Sequence, residues 1–281
     1  MDKGKLYVVP TPIGNLKDIT LRALEVLQNV DLIAAEDTRQ SIKLLNHFNI
    51  KKRLISYHKH NEYGKSENLI DMLKEGKSIA LVSDAGTPGI SDPGSVIVSK
   101  CIENNIEFEV LTGATAITTA LVYSGMDSSR FVFIGFLSRD SKERRVTINQ
   151  LKDMTETIIL YESPHRLSST LEFLRCNLGN RKISICRELT KLHEEILRLS
   201  LEEAVHYYDN KVVKGEIVIV IEGKKQEEII SEQKAMWEDL TVEDHIKKYI
   251  SEGLDKKEAV KKVAKDRRLS KAEIYKYSIG L

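Results

Sequence analysis

Residues 83–94 read SDAGTPGISDPG, a turn-forming stretch that follows the apolar run Ile79, Ala80, Leu81, Val82. Gly86, Gly89 and Gly94 admit backbone angles that other residues resist, and Pro88 and Pro93 stiffen the path. Asp84 and Asp92 add carboxylates beside it. An apolar helical segment starts around Val96, so the stretch reads as a shaped loop from the carboxyl end of a strand into a helix. In an open α/β sheet that is where ligands dock, which makes this loop the first wall of a small-molecule site.

Outward from the loop the chain alternates strand-like and helix-like segments: 6–9 then 21–27, 32–35 then 42–48, 79–82 then 96–102. A strand at 108–111 then runs through Thr112, Gly113 and Ala114 into a small-residue helix over 115–122. This is the βαβ rhythm of a mainly parallel sheet covered by helices. A second series at 131–136, 157–161, 183–186, 196–199 and 217–221 has a different texture. The segment at 196–199 follows its predecessor too closely for a helical crossover, so antiparallel or mixed pairing is expected there.

The fold class is therefore α/β, with two unequal α/β domains over 1–115 and 116–225 and a bridging helix near 113–126. Residues 226–240 are acidic and polar and predict a linker. Three short helices are expected over 241–281, shaped like a helix-turn-helix. Thr241 with Asp244 opens the first, Gly253 stops it, Ala259, Val260, Val263 and Ala264 line one face of the second, and Ser270 with Glu273 caps the third.

Composition narrows the classes. At 281 residues, 41% hydrophobic and 30% charged, the chain has material for about two globular domains. No apolar run approaches the ~18 residues of a membrane span, and the first residues lack the apolar segment of a signal peptide, so a cytoplasmic location is expected. Cys101, Cys176 and Cys186 have neither disulfide-framework nor zinc-knuckle spacing. Net charge is only +1, yet residues 241–281 carry +4 against −3 for the rest, as a polyanion partner or a solvated lysine face would produce.

Four segments place unusual residues at predicted strand ends: Pro10 to Asn15, Glu36 to Arg39, the 83–94 loop, and Thr112 to Thr115. In a parallel sheet these ends share one edge and converge on one cleft. None is a standard phosphate cradle: the first strand leads into VPTPIGN rather than GxGxxG, and the Gly-Lys-Ser triplets at 64–66 and 76–78 lack the earlier glycine of a P-loop. His58 and His60 lack a third ligand at metal-binding spacing, and no metal site is expected.

VPTPIGNLKDIT at 9–20, AAEDTR at 34–39, SDAGTPGISDPG, YESPHR at 161–166 and RELTKLHEE at 187–195 together resemble the tetrapyrrole-methylase-fold family. Within it they are similar to the ribosomal RNA small subunit methyltransferase I group, and the likeness runs in order over about 1–225. The resemblance implies transfer of methyl from S-adenosyl-L-methionine to the 2′-hydroxyl of a decoding-region cytidine, on small-subunit ribosomal RNA or the assembled 30S subunit. It also implies a homodimer holding the cofactor between two α/β domains. By position, Pro12, the loop residues Asp84, Ala85, Gly86, Thr87 and Ile90, then Thr115 and Ala116, and Glu162 and Leu189 from the second domain would contact that cofactor. Where tetrapyrrole-modifying members commonly show GGD, this chain has Asp84, Ala85, Gly86, Thr87, which favours the RNA branch.

A ribose hydroxyl is a poor nucleophile, so a general base is sought among Glu36, Asp37 and Glu188, each at a predicted strand end. Glu36 or Asp37 would stand near the acceptor oxygen, with Arg39 fixing an adjacent phosphate. Arg139, Lys142, Arg144 and Arg145 form a basic segment, and His165, Arg166, Arg187 and Lys191 add cations from the second domain, as a phosphate-tracking rim would require. Two rival readings remain at this point: the same fold acting on a tetrapyrrole or a protein side chain, and a ligand sensor whose C-terminal helices bind DNA.

Overall fold

The computed structural model describes residues 4–235 and 237–279. Strands β1 (Leu6–Val8), β2 (Leu32–Ala35), β3 (Arg53–Ser56), β4 (Ile79–Val82) and β5 (Phe108–Val110) alternate with helices α1 (Leu21–Asn29), α2 (Thr38–His47), α3 (Glu62–Lys74) and α4 (Ser95–Glu103). The five strands form one sheet in the order β3-β2-β4-β1-β5, every pair parallel. Both faces are covered, as an all-parallel sheet requires: Leu6, Val8, Ile79 and Leu81 pack with α3 and α4 residues on one side, and Val9, Ile33, Ala80 and Val82 pack with α1 and α2 residues on the other. Because all five strands run the same way, their carboxyl ends lie along one edge.

Helix α5 (Ala116–Ser124) leads into a second sheet of β6 (Phe131–Phe136), β7 (Thr157–Glu162), β8 (Lys182–Arg187), β9 (Glu195–Ser200) and β10 (Ile217–Ile221), carrying helices α6 (Ser141–Leu151), α7 (Leu167–Leu178) and α8 (Leu201–Tyr208). Its order is β6-β7-β10-β8-β9. β6 and β7 are parallel, whereas β10 runs antiparallel between β7 and β8, and β9 antiparallel beside β8. The mixed pairing expected at 196–199 is the β8–β9 hairpin. α5, although it follows the last strand of the first sheet, packs Ile117, Ala120 and Leu121 against Ile159, Cys186 and Val220 of the second. Truncating one of these, Ile159→Ala, removes a fully buried side chain from this cluster. The expected loss is about 2–5 kcal/mol of stability in urea unfolding, because the surrounding strands close the void only partly.

The chain divides into two compact units, Met1–Lys152 with Glu156–Glu222, and Asp153–Thr155 with Gly223–Leu281. Both sheets belong to the first. The second contains α9 (Gln226–Ala235), α10 (Val242–Ser251), α11 (Lys256–Asp266) and α12 (Lys271–Ser278). Residues 226–240, expected as a linker, are thus largely helical; Glu227 and Glu228 in the first turn and Lys234 in the last suit the helix dipole, a signal that acidic composition had masked. The three C-terminal helices close on Ile246, Ala259, Val260, Val263, Ala264 and Ile274. Thr241 caps α10, and Ser270 with Glu273 forms a reciprocal capping box on α12.

Candidate active site

The loop after β4 is tied to every neighbouring strand end. Thr11 and Gly86 exchange two backbone hydrogen bonds outside any strand, Thr11 N–H to the Gly86 carbonyl at 2.9 Å and the reverse at 3.0 Å. The Thr11 hydroxyl donates to the Ser83 carbonyl at 3.2 Å. From the end of β2, the Asp37 N–H donates to Asp84 Oδ1 at 3.0 Å, and Asp84 N–H reaches back to Glu36 Oε2 at 3.4 Å. The Thr87 hydroxyl donates to the Ala114 carbonyl at 3.3 Å beyond β5. Gly86 holds φ +78°, and a Cβ there would lie 3.4 Å from Ile13 Cγ2, so the backbone turns where a side chain would enter the space in front of it.

The second sheet supplies the facing wall. Phe136, Tyr161, Glu162 and Cys186 end β6, β7 and β8 on one edge, and antiparallel β10 brings its beginning, Gly215 to Val218, to the same edge. The two walls touch at Gly14, whose absent Cβ would fall 2.5 Å from Lys191 Cγ and 2.6 Å from Thr190 Oγ1; only glycine permits that approach. Asn15 N–H then donates to Thr190 Oγ1 at 2.9 Å. Between the walls lies a cavity of about 370 Å³.

Its electrostatics are one-sided. Glu36, Asp84, Asp92, Glu162 and Glu216 line it and, among the described residues, no lysine or arginine does. Glu162 is buried and spent: Oε1 accepts the Ser163 N–H at 2.7 Å and faces Arg166 at 3.4 Å, and Oε2 accepts the Thr170 hydroxyl at 2.6 Å. Glu216 pairs with Lys191 at 2.9 Å. Burial raises the pKa of Glu36 and of Asp84, with only partial relief from the backbone N–H groups each accepts. Asp92 is pushed up to about 7, first by burial and then by Glu36, Asp84 and Glu216, against a hydrogen bond from Ser83. Burial also lifts the Tyr161 hydroxyl to about 12.

These surroundings suit a ligand that is cationic at one end and apolar at the other. A sulfonium or ammonium gains from unpaired carboxylates in a partly desolvated cleft. Ile13, Ile90, Leu189, Phe136, Tyr161 and Val218 provide apolar and aromatic surface for a flat ring. Thr115 and Ala116, at the start of α5, line the cavity, and no side chain caps that helix, which leaves its first N–H groups for a carboxylate. Among the described residues, no cluster of three or more His, Cys, Asp or Glu is arranged to hold a metal ion. None of their helices is long and apolar enough to cross a membrane.

Of the residues expected to contact a cofactor, Asp84, Ala85, Gly86, Thr87, Ile90, Thr115, Ala116, Glu162 and Leu189 line this cavity. Pro12 is buried and does not; its neighbour Ile13 does. Of the catalytic candidates only Glu36 lines it. Asp37 caps α2, accepting Arg39 N–H at 2.9 Å, and binds the same arginine's guanidinium at 3.0 and 2.7 Å, which holds its carboxyl down at about 2. Arg39 itself is 87% exposed at the side chain. Although partial burial opposes ionisation of Glu188, hydrogen bonds from Lys191 Nζ at 2.8 Å and the Glu216 N–H at 2.9 Å outweigh it and lower its pKa.

The rim cations divide in the same way. Arg166 donates to the Leu137 carbonyl at 2.7 Å, Arg187 pairs with Glu195 at 3.1 Å, Lys191 bridges Glu188 and Glu216, and the Arg144 guanidinium lies 4.3 Å over the Phe173 ring. Those four spend their charge inside the fold, which a sequence cannot disclose. Arg139, Lys142, Arg145 and His165 are exposed. Sequence reasoning noted Asp92 only as a carboxylate beside the loop; its signal was the repeated Ser-Asp-X-Gly of SDAG and SDPG. It overlooked Glu216 because nothing in an apolar run tells where that strand inserts in its sheet.

The sequence matches the family model described as Tetrapyrrole (Corrin/Porphyrin) Methylases over residues 5–205. It is 50% identical over 274 residues to a Halalkalibacterium halodurans protein named Ribosomal RNA small subunit methyltransferase I, covering 98% of this chain and 94% of that one. A Thermotoga maritima protein of the same name is 46% identical over 222 residues, which is 79% of this chain and the whole of that one. Among solved structures, a diphthine synthase superposes with a TM-score of 0.64 at 18% identity, over 78% of this chain and 90% of its own, a likeness of fold.

Proposed function

Because this chain belongs to the tetrapyrrole methylase family, and within it to the ribosomal RNA small subunit methyltransferase I group, we propose that it methylates the 2′-hydroxyl of a decoding-region cytidine in 16S ribosomal RNA. S-adenosyl-L-methionine is the methyl donor, and small-subunit ribosomal RNA, free or in the 30S subunit, is the substrate. The observation that carries this reading is the cavity itself, lined by carboxylates and, among the described residues, by no lysine or arginine, beside the glycine turn at Gly86.

Bound there, S-adenosyl-L-methionine supplies a methyl group activated by a positive sulfur. The residues of the chain have three tasks. The Gly86 turn and the open start of α5 fix the donor's position, and positioning is the largest contribution to such a displacement. Glu36 and Asp84 favour a positive charge in the cleft. Asp92 takes the proton that the ribose hydroxyl loses as its oxygen gains the methyl group; its pKa of about 7 suits a base working near neutrality. A homodimer is part of the same proposal, tested by sedimentation.

Arg139, Lys142 and Arg145 are the rim cations available for phosphates. Replacing all three with glutamine is expected to weaken RNA binding about tenfold and to flatten the slope of log Kd against log salt by about 2. Donor affinity should stay unchanged; equal loss of both ligands would indicate misfolding. The direct test of the function is mapping 2′-O-methyl groups on 16S ribosomal RNA from cells with and without this chain. Absence of any change in methylated positions overturns the reading, and a methyl on a base or a protein would redirect it.

A further inference from the structure

The C-terminal helical unit carries a surface that the cavity does not explain. Its helices α9 to α12 lie outside the matched span 5–205. Lys257, Lys261 and Lys265 recur every four residues along α11 and are exposed, so three like charges stand one above another. Such a column disfavours the helix unless a counter-charge meets it. Among the described residues no carboxylate forms an ion pair with any of the three, although Glu258 stands one turn before Lys261 on the same helix. Asp255 caps α11, accepting Glu258 N–H at 2.7 Å. Asp266 accepts the Tyr249 hydroxyl at 2.6 Å, and Glu273 closes the capping box with Ser270 at 2.8 and 2.9 Å. Arg268, in the turn, and Lys271, opening α12, are further exposed cations of the unit.

Aromatic rings are displayed on the same helix. Tyr275 is 60% exposed and Tyr277 50%, and Tyr275 stands one turn beyond Lys271 on one helix face. A cation beside an open aromatic ring matches an unstacked base with its phosphate. The exposed positions of α12 are Lys271, Ala272, Glu273, Tyr275, Lys276 and Tyr277, without the Asn or Gln that pair adenine or the forked Arg that pairs guanine in a DNA major groove. Since Glu273 already closes the α12 N-terminus, contact with phosphate falls to side chains.

We propose that the exposed side chains Lys257, Lys261, Lys265, Arg268, Lys271 and Tyr275 together form a second RNA-binding surface that grips a single-stranded or looped segment of RNA. It holds the substrate without taking part in methyl transfer. The identity of the RNA as small-subunit ribosomal RNA rests on the function proposed above; the chemistry of the surface does not.

The test uses the full chain with S-adenosyl-L-methionine, and 16S ribosomal RNA, 30S subunits and a 30-base-pair DNA duplex as probes. The triple variant Lys257→Gln, Lys261→Gln, Lys265→Gln is expected to raise the RNA Kd and KM about tenfold or more and to reduce the salt slope by about 2. Its kcat and donor Kd should match wild type. Tyr275→Ala should weaken RNA about tenfold while leaving the salt slope in place, as loss of stacking requires. Unchanged Kd, KM and slope in the lysine variant would overturn the proposal, as would tighter wild-type binding to the duplex than to RNA. If wild type transfers no methyl to ribosomal RNA yet the lysine variant still loses RNA affinity, the function above fails and this surface stands.

Discussion

Replacing Gly86 with tryptophan will abolish donor binding, with calorimetric Kd for S-adenosyl-L-methionine weakened at least ~100-fold, or about 2.7 kcal/mol. The reasons compound. Residue 86 sits at φ +78°, a conformation that costs a side-chain-bearing residue about 1–3 kcal/mol, and an indole there must also occupy the space between Ile13 and the Ala114 carbonyl. Gly86→Ala isolates the first part, because its Cβ meets Ile13 at 3.4 Å, an ordinary contact; a loss of about tenfold is expected. Full donor affinity in the tryptophan variant, with the fold intact by circular dichroism, would remove this turn from the site.

Asp92→Asn will lower kcat by about 10²–10⁴, the range of a general base, with donor and RNA affinities near wild type. The pH behaviour separates catalysis from architecture. Folding raises the Asp92 pKa from 3.8 to about 7, so across that interval the native chain holds a proton that the unfolded chain has released. Its contribution to stability is therefore fullest below about pH 4 and declines as pH climbs through about 7. Asparagine stays neutral throughout, so the variant should melt at a higher temperature than wild type at pH 8 and at the same temperature near pH 4. Wild-type kcat should rise with pH through about 7, and the variant should lose that rise. A variant whose kcat falls less than threefold would return the search to Glu36, the other raised carboxylate on the wall.

Where the chain obeyed local rules, its fold could be read in advance. Apolar runs ending in turn residues located β1, β2, β4 and β5, and parallel order then forced their ends together, so most of the loop residues fell where expected. Pairings made across the fold escaped such reading. β3, with Arg53 and Ser56 at its ends, lacks a clear apolar period, and the adjoining α3 contains the Gly-Lys-Ser triplet at 64–66, read only as an incomplete P-loop. β10 was legible as a strand, but its antiparallel insertion between β7 and β8, which carries Glu216 to the cavity, depends on contacts with residues 30 to 63 positions upstream. Asp37 and Arg39 misled for the opposite reason: two residues apart, they satisfy one another.

The lopsided charge of the cavity bears on turnover. Alkyl transfer discharges the sulfur, so the spent thioether leaves carrying one positive charge fewer than the molecule that came in. Glu36 and Asp84, the carboxylates that favour a positive charge in the cleft, thereby lose their hold on the by-product at the moment the reaction completes, which favours its exchange for fresh donor.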